Sequence, residues 1–190
     1  MRYSVSKIDR EFSPAEAAAI TGVSTALQRD WRRRDIIKGD PNPEGKWTRW
    51  SLTDIIRLSV MKLFSDAGMD VSSTTTVASM AVMPTVGALA QIDEAVEFDG
   101  DELGEAQKAR IRSTTVGTTH PSHTIGRFLA AFGKGEYDVC RTDDLASLEA
   151  MLEEEARPIL SVVDCRSLAR LIVERAGGAV LRYEITVKDE

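Results

Sequence analysis

At 190 residues, with 43% apolar and 28% charged side chains, the chain has the composition of a globular protein and the length for one large or two small cores, which excludes fibrous and disordered classes. Its net charge of −6 is unevenly spread, because residues 1–60 carry eleven Lys or Arg against eight Asp or Glu, while residues 61–190 carry thirteen against twenty-two. Any surface that binds phosphates is therefore expected in the basic first third, mounted on an acidic body.

The chain has no run of 18 apolar residues, and its opening MRYSVSKIDREF alternates charges with short apolar pairs where a signal peptide would carry an apolar core. A cytoplasmic location with no membrane partner is expected. Cys140 and Cys165 are far apart and each lies in an apolar stretch, which suits reduced, structural thiols.

In chain order, Ser13-Pro14 reads as a helix N-cap followed by Pro at the first helical position, with Glu16 placed to complete a capping box. A helix from Pro14 to about Thr21 is predicted, stopped by Gly22. Ser24 caps a second helix, whose Leu27 and Trp31 stand four apart on one face. The segment GDPNPEGKWTRW is too rich in Gly, Pro and Asn for a helix and reads as a hairpin or loop. Ser51 then caps a third helix, Leu52 to Ala67, with Leu52, Ile55, Ile56, Val60, Leu63 and Phe64 on its apolar face and Gly68 at its end. A weaker helix is expected over Val71 to Met83, ended by Pro84.

Thr85 to Phe98 reads as one more helix, and FDGDELGEAQ and TTVGTTHPSH as connectors. Strands are expected at Phe128–Phe132 and Tyr137–Thr142 around a GKGE turn, then a helix Leu145–Glu155, a buried strand Ile159–Val163 and a helix Arg166–Ala176. The last strand, Val180–Val187, turns Leu181, Tyr183, Ile185 and Val187 inward.

The second helix carries four arginines, Arg29, Arg32, Arg33 and Arg34. Because a guanidinium fork bonds two acceptors at once, it suits both phosphate and guanine. With Leu27 and Trp31 facing inward, Gln28, Arg29, Arg32 and Arg33 are expected to point outward or sideways. Beyond them Lys46, Trp47, Arg49 and Trp50 interleave cations with aromatics. Trp50 reads as a core anchor of this segment, whereas Trp47 is placed equally well in the core or against a ligand.

These residues carry a resemblance. Phe12 to Gly68 is similar to the DNA-binding domain of MerR-like regulators: SPAEAAAITGVS matches the first helix and turn, RDWRRRDII the segment before the wing, and GKWTRWSLTDIIRLSVMKLFSDAG the wing and third helix. Asp30 stands where that family usually has an aromatic residue, and Asp35 where it usually has Gly. The resemblance implies a winged helix-turn-helix, DNA contacts by Thr25, Arg29 and Arg49, aromatic supports at Trp31 and Trp50, and a dimer on a palindromic site. Excisionase-like factors and phage terminase small subunits share this fold, so a DNA-assembly factor is the rival reading.

Other sites weigh less. His120 and His123 straddle Pro121 with no close pair of cysteines, which does not make a zinc site, and Asp164 is placed as the N-cap of the following helix. No phosphate loop, G-x-S-x-G or Ser, His, Asp set is found, so no enzyme and no cofactor are expected. The expected fold is α+β: a mainly helical winged domain (1–83), a helical linker or possible dimerisation segment (84–122) and a small α/β domain for dimerisation or sensing (123–190). The expected contacts to double-stranded DNA are Ser24, Thr25, Gln28, Arg29, Arg32, Arg33, Lys46, Trp47 and Arg49. A homodimer is expected too, joined by the helix bearing Val86, Leu89, Ile92 and Val96 or by a free edge of the last strand.

Overall fold

The computed structural model describes residues 2–38, 40–41, 48–100, 103–114, 126–132, 138–155 and 160–188. The chain opens with a strand, β1 (Arg2–Ile8), that its mixed apolar and charged pattern did not announce. Helix α1 (Pro14–Thr21) begins as the caps demand: Ser13 Oγ accepts from the Glu16 amide at 3.2 Å, and the Glu16 carboxylate accepts from the Ser13 amide at 2.8 Å. Gly22 ends it in the left-handed region, at φ 76°. Helix α2 (Thr25–Arg33) is capped by Ser24. Two short antiparallel strands, β2 (Asp40–Pro41) and β3 (Thr48–Arg49), precede α3 (Leu52–Asp66), which has its own capping box between Ser51 and Asp54.

Five of the six apolar positions foreseen on α3 are buried, but Leu63 is 46% exposed. It lies instead in the wall of an apolar cleft of about 390 Å³ between the end of α3 and the C-terminal elements.

The single helix expected up to Met83 is broken. A 3₁₀ turn at Val71–Thr74, capped by the Asp70 side chain, leads into α4 (Thr75–Met80), and a new helix α5 (Val82–Leu89) starts after Ala81. Pro84 falls in the first turn of α5, where its missing N–H has no intrahelical partner to lose. It therefore opens a helix and does not end one. Nor does that helix continue to Phe98, because Val96–Gly100 forms the strand β4. Helix α6 (Glu105–Thr114) begins inside the expected connector FDGDELGEAQ and reaches the next one; it buries only Ile111 of its own residues and so lacks an apolar stripe.

The C-terminal elements lie within a residue or two of expectation: β5 (Phe128–Phe132), β6 (Asp138–Thr142), α7 (Leu145–Glu155), β7 (Leu160–Asp164), α8 (Cys165–Ala176) and β8 (Leu181–Lys188). The expected GKGE turn lies outside the described residues. β5 is central to an antiparallel sheet between β6 and β7.

β8 is the centre of another sheet. It pairs antiparallel with β1, from Arg2↔Lys188 to Ile8↔Arg182, and parallel with β4, from Val96↔Leu181 to Gly100↔Ile185. Leu181, Tyr183 and Ile185 point inward as expected, but the strand has no free edge to offer a second copy. β4 comes so close that a Cβ on Gly100 would stand 2.2 Å from the Ile185 carbonyl oxygen, and Gly100 has φ 99°. Only glycine meets both conditions.

The architecture is thus α+β, with no helix among the described residues long and apolar enough to cross a membrane. One buried cluster runs from Phe12 and Ile20 through Trp31, Trp50 and Ile56 to Leu89, Ala169, Leu181 and Tyr183. Burying each large apolar side chain in it contributes on the order of 1.5–3 kcal/mol. The packing does not divide at residue 84 or treat 84–122 as a linker: α5 lies on α8, and α1 touches both α3 and α8. Leu89 and Val96 are buried, and Val86 and Ile92 pack against the same cluster. The face proposed for dimerisation is therefore used inside the chain.

Asp164 is the N-cap of α8, accepting from the Arg166 and Ser167 amides at 3.0 and 3.2 Å. Arg127 adds a two-pronged ion pair, at 3.1 and 2.6 Å. That guanidinium, then the Ser167 bonds, hold the carboxyl down at about 2. Because the folded value lies below the unfolded one near 3.9, the stabilisation is complete above about pH 4 and is lost as pH falls toward 2. The difference in unfolding midpoint between the wild type and Asp164→Asn is expected to shrink steadily across that window. A difference that stays constant from pH 5 to pH 2 would show that the charge contributes nothing.

Candidate nucleic-acid interface

Helix α2 has one face locked into the protein and one turned out. Trp31 is 2% exposed and Leu27 is half-buried, as the four-residue spacing requires. Ser24, Thr25, Arg29, Arg32 and Arg33 are all exposed. Arg29 Nε donates to the Thr25 carbonyl at 3.3 Å, and Asp30 takes an ion pair from Arg33 at 2.6 Å and a longer one from Arg34 at 3.7 Å. Such surface pairs are weak and exchange readily with other anions. Asp30 thus holds two of the cations at the end of this helix.

Gln28 is the correction. It was expected to face outward but is only 2% exposed. Three residues before Trp31, it lies about 60° from it around the helix, well within the width of a buried stripe. Its carboxamide is satisfied there: Nε2 donates to the Pro14 and Val23 carbonyls, each at 2.9 Å, and Oε1 accepts from the Trp50 indole Nε1 at 3.0 Å. Periodicity alone misses this, since an amide on a stripe's flank reads as polar and therefore outward.

Trp50 is 1% exposed and is a core anchor, as expected. Its backbone forms a two-bond bridge with Phe12, at 2.8 and 2.9 Å. Immediately before it, Arg49 on β3 is exposed and pairs with Glu11 at 3.6 Å. The bridge and the indole bond bring the base of the β2–β3 hairpin against the inner face of α2. Lys46 and Trp47, the other two residues expected at this tip, lie outside the described residues. Of the nine candidate residues, six are exposed and one, Gln28, is buried.

α2 ends on a strained residue: Asp35 has φ 56°, the one described non-glycine residue with positive φ. The turn it makes lets the Ile36 amide reach the Trp31 carbonyl at 2.9 Å. A cleft of about 270 Å³ opens below this turn, among Asp35, Lys38, Trp50, Asp54 and Arg57.

Elsewhere the chemistry is quiet. Among the described residues no three His, Cys, Asp or Glu side chains gather as metal ligands, and His120 and His123 lie outside them. Both cysteines are free thiols. Burial pushes Cys165 up to about 11, so it stays protonated and unreactive at neutral pH. No model of a known protein family and no curated protein matches the chain.

Because a left-handed backbone costs a residue with a Cβ about 1 kcal/mol or more, Asp35→Gly is expected to stabilise the fold by about 0.5–1 kcal/mol, after allowing for glycine's greater unfolded-state freedom. A thermal melt should rise by roughly 2–3 °C. A lower midpoint would mean that the Asp35 side chain, through its ion pair with Lys38, offsets the strain.

Proposed function

We propose that this chain is a cytoplasmic, sequence-specific DNA-binding protein of the MerR-like winged helix-turn-helix kind, a transcriptional regulator acting as a homodimer. One observation carries the reading. The cationic side of α2, with Thr25, Arg29, Arg32 and Arg33 exposed, belongs to a helix whose other side is bolted to the base of the hairpin that bears Arg49. Two cationic elements in a fixed relation suit a groove and its flanking phosphates. The ion pairs of Asp30 and Glu11 leave these cations accessible and supply anions that DNA phosphates would displace.

In this reading the exposed first turn of α2, with Ser24, Thr25 and Arg29, faces base edges. Arg32, Arg33 and Arg49 meet phosphates. Gln28 and Trp50 support the interface from behind. A single short helix reads few base pairs, so useful specificity calls for two copies. Their contact must use a surface other than β8 or the α5 face, which are both occupied within the chain.

Replacing Arg29 and Arg32 together with Ala is expected to weaken binding to a sequence selected from random DNA. The slope of log affinity against log salt should fall by about 0.9 for each phosphate no longer neutralised. Circular dichroism should be unchanged. Equal affinity and slope would remove α2 from the interface. Footprinting the selected site separates the two DNA-binding roles, since one palindrome supports the regulator and phased direct repeats support an assembly factor. Light scattering of the full chain on that site is expected to give two copies per palindrome, and one-to-one binding by a monomer would overturn the dimer.

A further inference from the structure

Gln28 sits in an environment that is costly for a polar side chain, yet every strong bond its amide group can donate is made. Its two N–H groups go to carbonyls of the helix start at Pro14 and of the turn at Val23, and its oxygen takes the indole N–H of Trp50. One side chain thus ties α1, the turn, α2 and the hairpin base together. An apolar residue would fill the same space more simply, but it would leave the buried Trp50 N–H without its partner and take one away from the buried Val23 carbonyl.

The bonds are also directional. Apolar packing lets a helix rotate or slide by a fraction of an ångström at little cost, whereas a planar amide held at three points does not. Because Trp50 follows Arg49 directly and is pinned by the Phe12 bridge, a rotation of α2 that carried Arg29 along the DNA would break the indole bond before it moved Arg49.

We propose that Gln28 is a positioning residue: it sets the register between the DNA-reading helix and the hairpin cation Arg49, so that both reach their places on one DNA site together. The proposal rests on the DNA-binding reading above. It assigns Gln28 to specificity without touching DNA, and it separates two quantities that DNA-touching residues move together. Losing register lowers preference for the right sequence but leaves the charge that binds any DNA.

The test uses the full chain with Gln28→Met, which keeps approximate length and volume, and Trp50→Phe, which removes the indole donor and leaves a smaller aromatic ring in its place. At a temperature where circular dichroism shows each variant folded, the ratio of affinity for the selected site to that for scrambled DNA is expected to fall about tenfold, within the usual range for coupled sites. Affinity for scrambled DNA and its salt slope should stay within about twofold. The double variant should lose no more specificity than the more affected single one, because the indole bond is common to both. An unchanged ratio in both single variants overturns the proposal. If Gln28→Met fails to fold, Trp50→Phe decides alone, since it leaves both carbonyl bonds of Gln28 in place.

A second readout needs no DNA. In nuclear magnetic resonance, Gln28→Met should speed exchange of the Trp50 indole proton at least tenfold and shift the backbone amide of Arg49. If the wild type shows no sequence preference, the DNA-binding reading fails, and the Arg49 amide then decides the coupling: a shift supports it and an unmoved resonance overturns it.

Discussion

β8 lies between the first strand of the chain and β4, and its backbone bonds on both sides join segments far apart in sequence. Much of the remaining architecture leans on that arrangement. Leu181, Tyr183 and Ile185 turn inward into the same buried cluster as Leu89 of α5 and Ala169 of α8, and α8 packs on both α5 and α1. Two arginines pin the joint: Arg10 donates to the carbonyl of Ala179 just before β8, and Arg175 on α8 donates to the carbonyl of Ile20 in the last turn of α1, at 3.1 Å. The position of α2 and the hairpin is therefore inherited, through α1, from the opposite end of the chain.

Local chemistry made some elements legible and long-range pairing hid others. Ser13, Ser24 and Ser51 announced three helix starts because a cap acts within four residues, and Gly22 announced a stop because its left-handed backbone is local too. β1 gave no such sign. Its Ser4, Lys7 and Ile8 make a poor strand alone, and it is held by a partner whose residues begin at Leu181. β4 was masked by Val86, Leu89, Ile92 and Val96, whose spacing imitates a helix although the last of them opens a strand. At the candidate interface the arginines and Trp31 fell where a 3.6-residue period puts them. Gln28 did not, because what turns it inward is the Trp50 indole, twenty-two residues away.

Charge follows the same logic of parts. The acidic excess of residues 61–190 belongs to the body, where Asp93, Glu97, Asp99 and Glu105 face cations of their own neighbourhood. For a chain that approaches DNA, such a body repels the duplex while the arginine side of α2 attracts it, which orients the encounter. Screening confines that effect to roughly 8–10 Å at physiological salt. Net charge alone would have hidden the division.

The pairing of β1 with β8 also bears on how the chain comes off the ribosome. α1, α2 and α3 can form from contacts close in sequence, but the strand that precedes them waits for residues 181–188. During synthesis β1 and β4 are unpaired edges, and α1 lacks the helix it rests on. Such edges invite pairing with other chains and recognition by chaperones. A product truncated before Leu181 keeps the arginine helix and α8 but leaves β1 and β4 without the strand that joins them, whereas the finished sheet pairs one side of each.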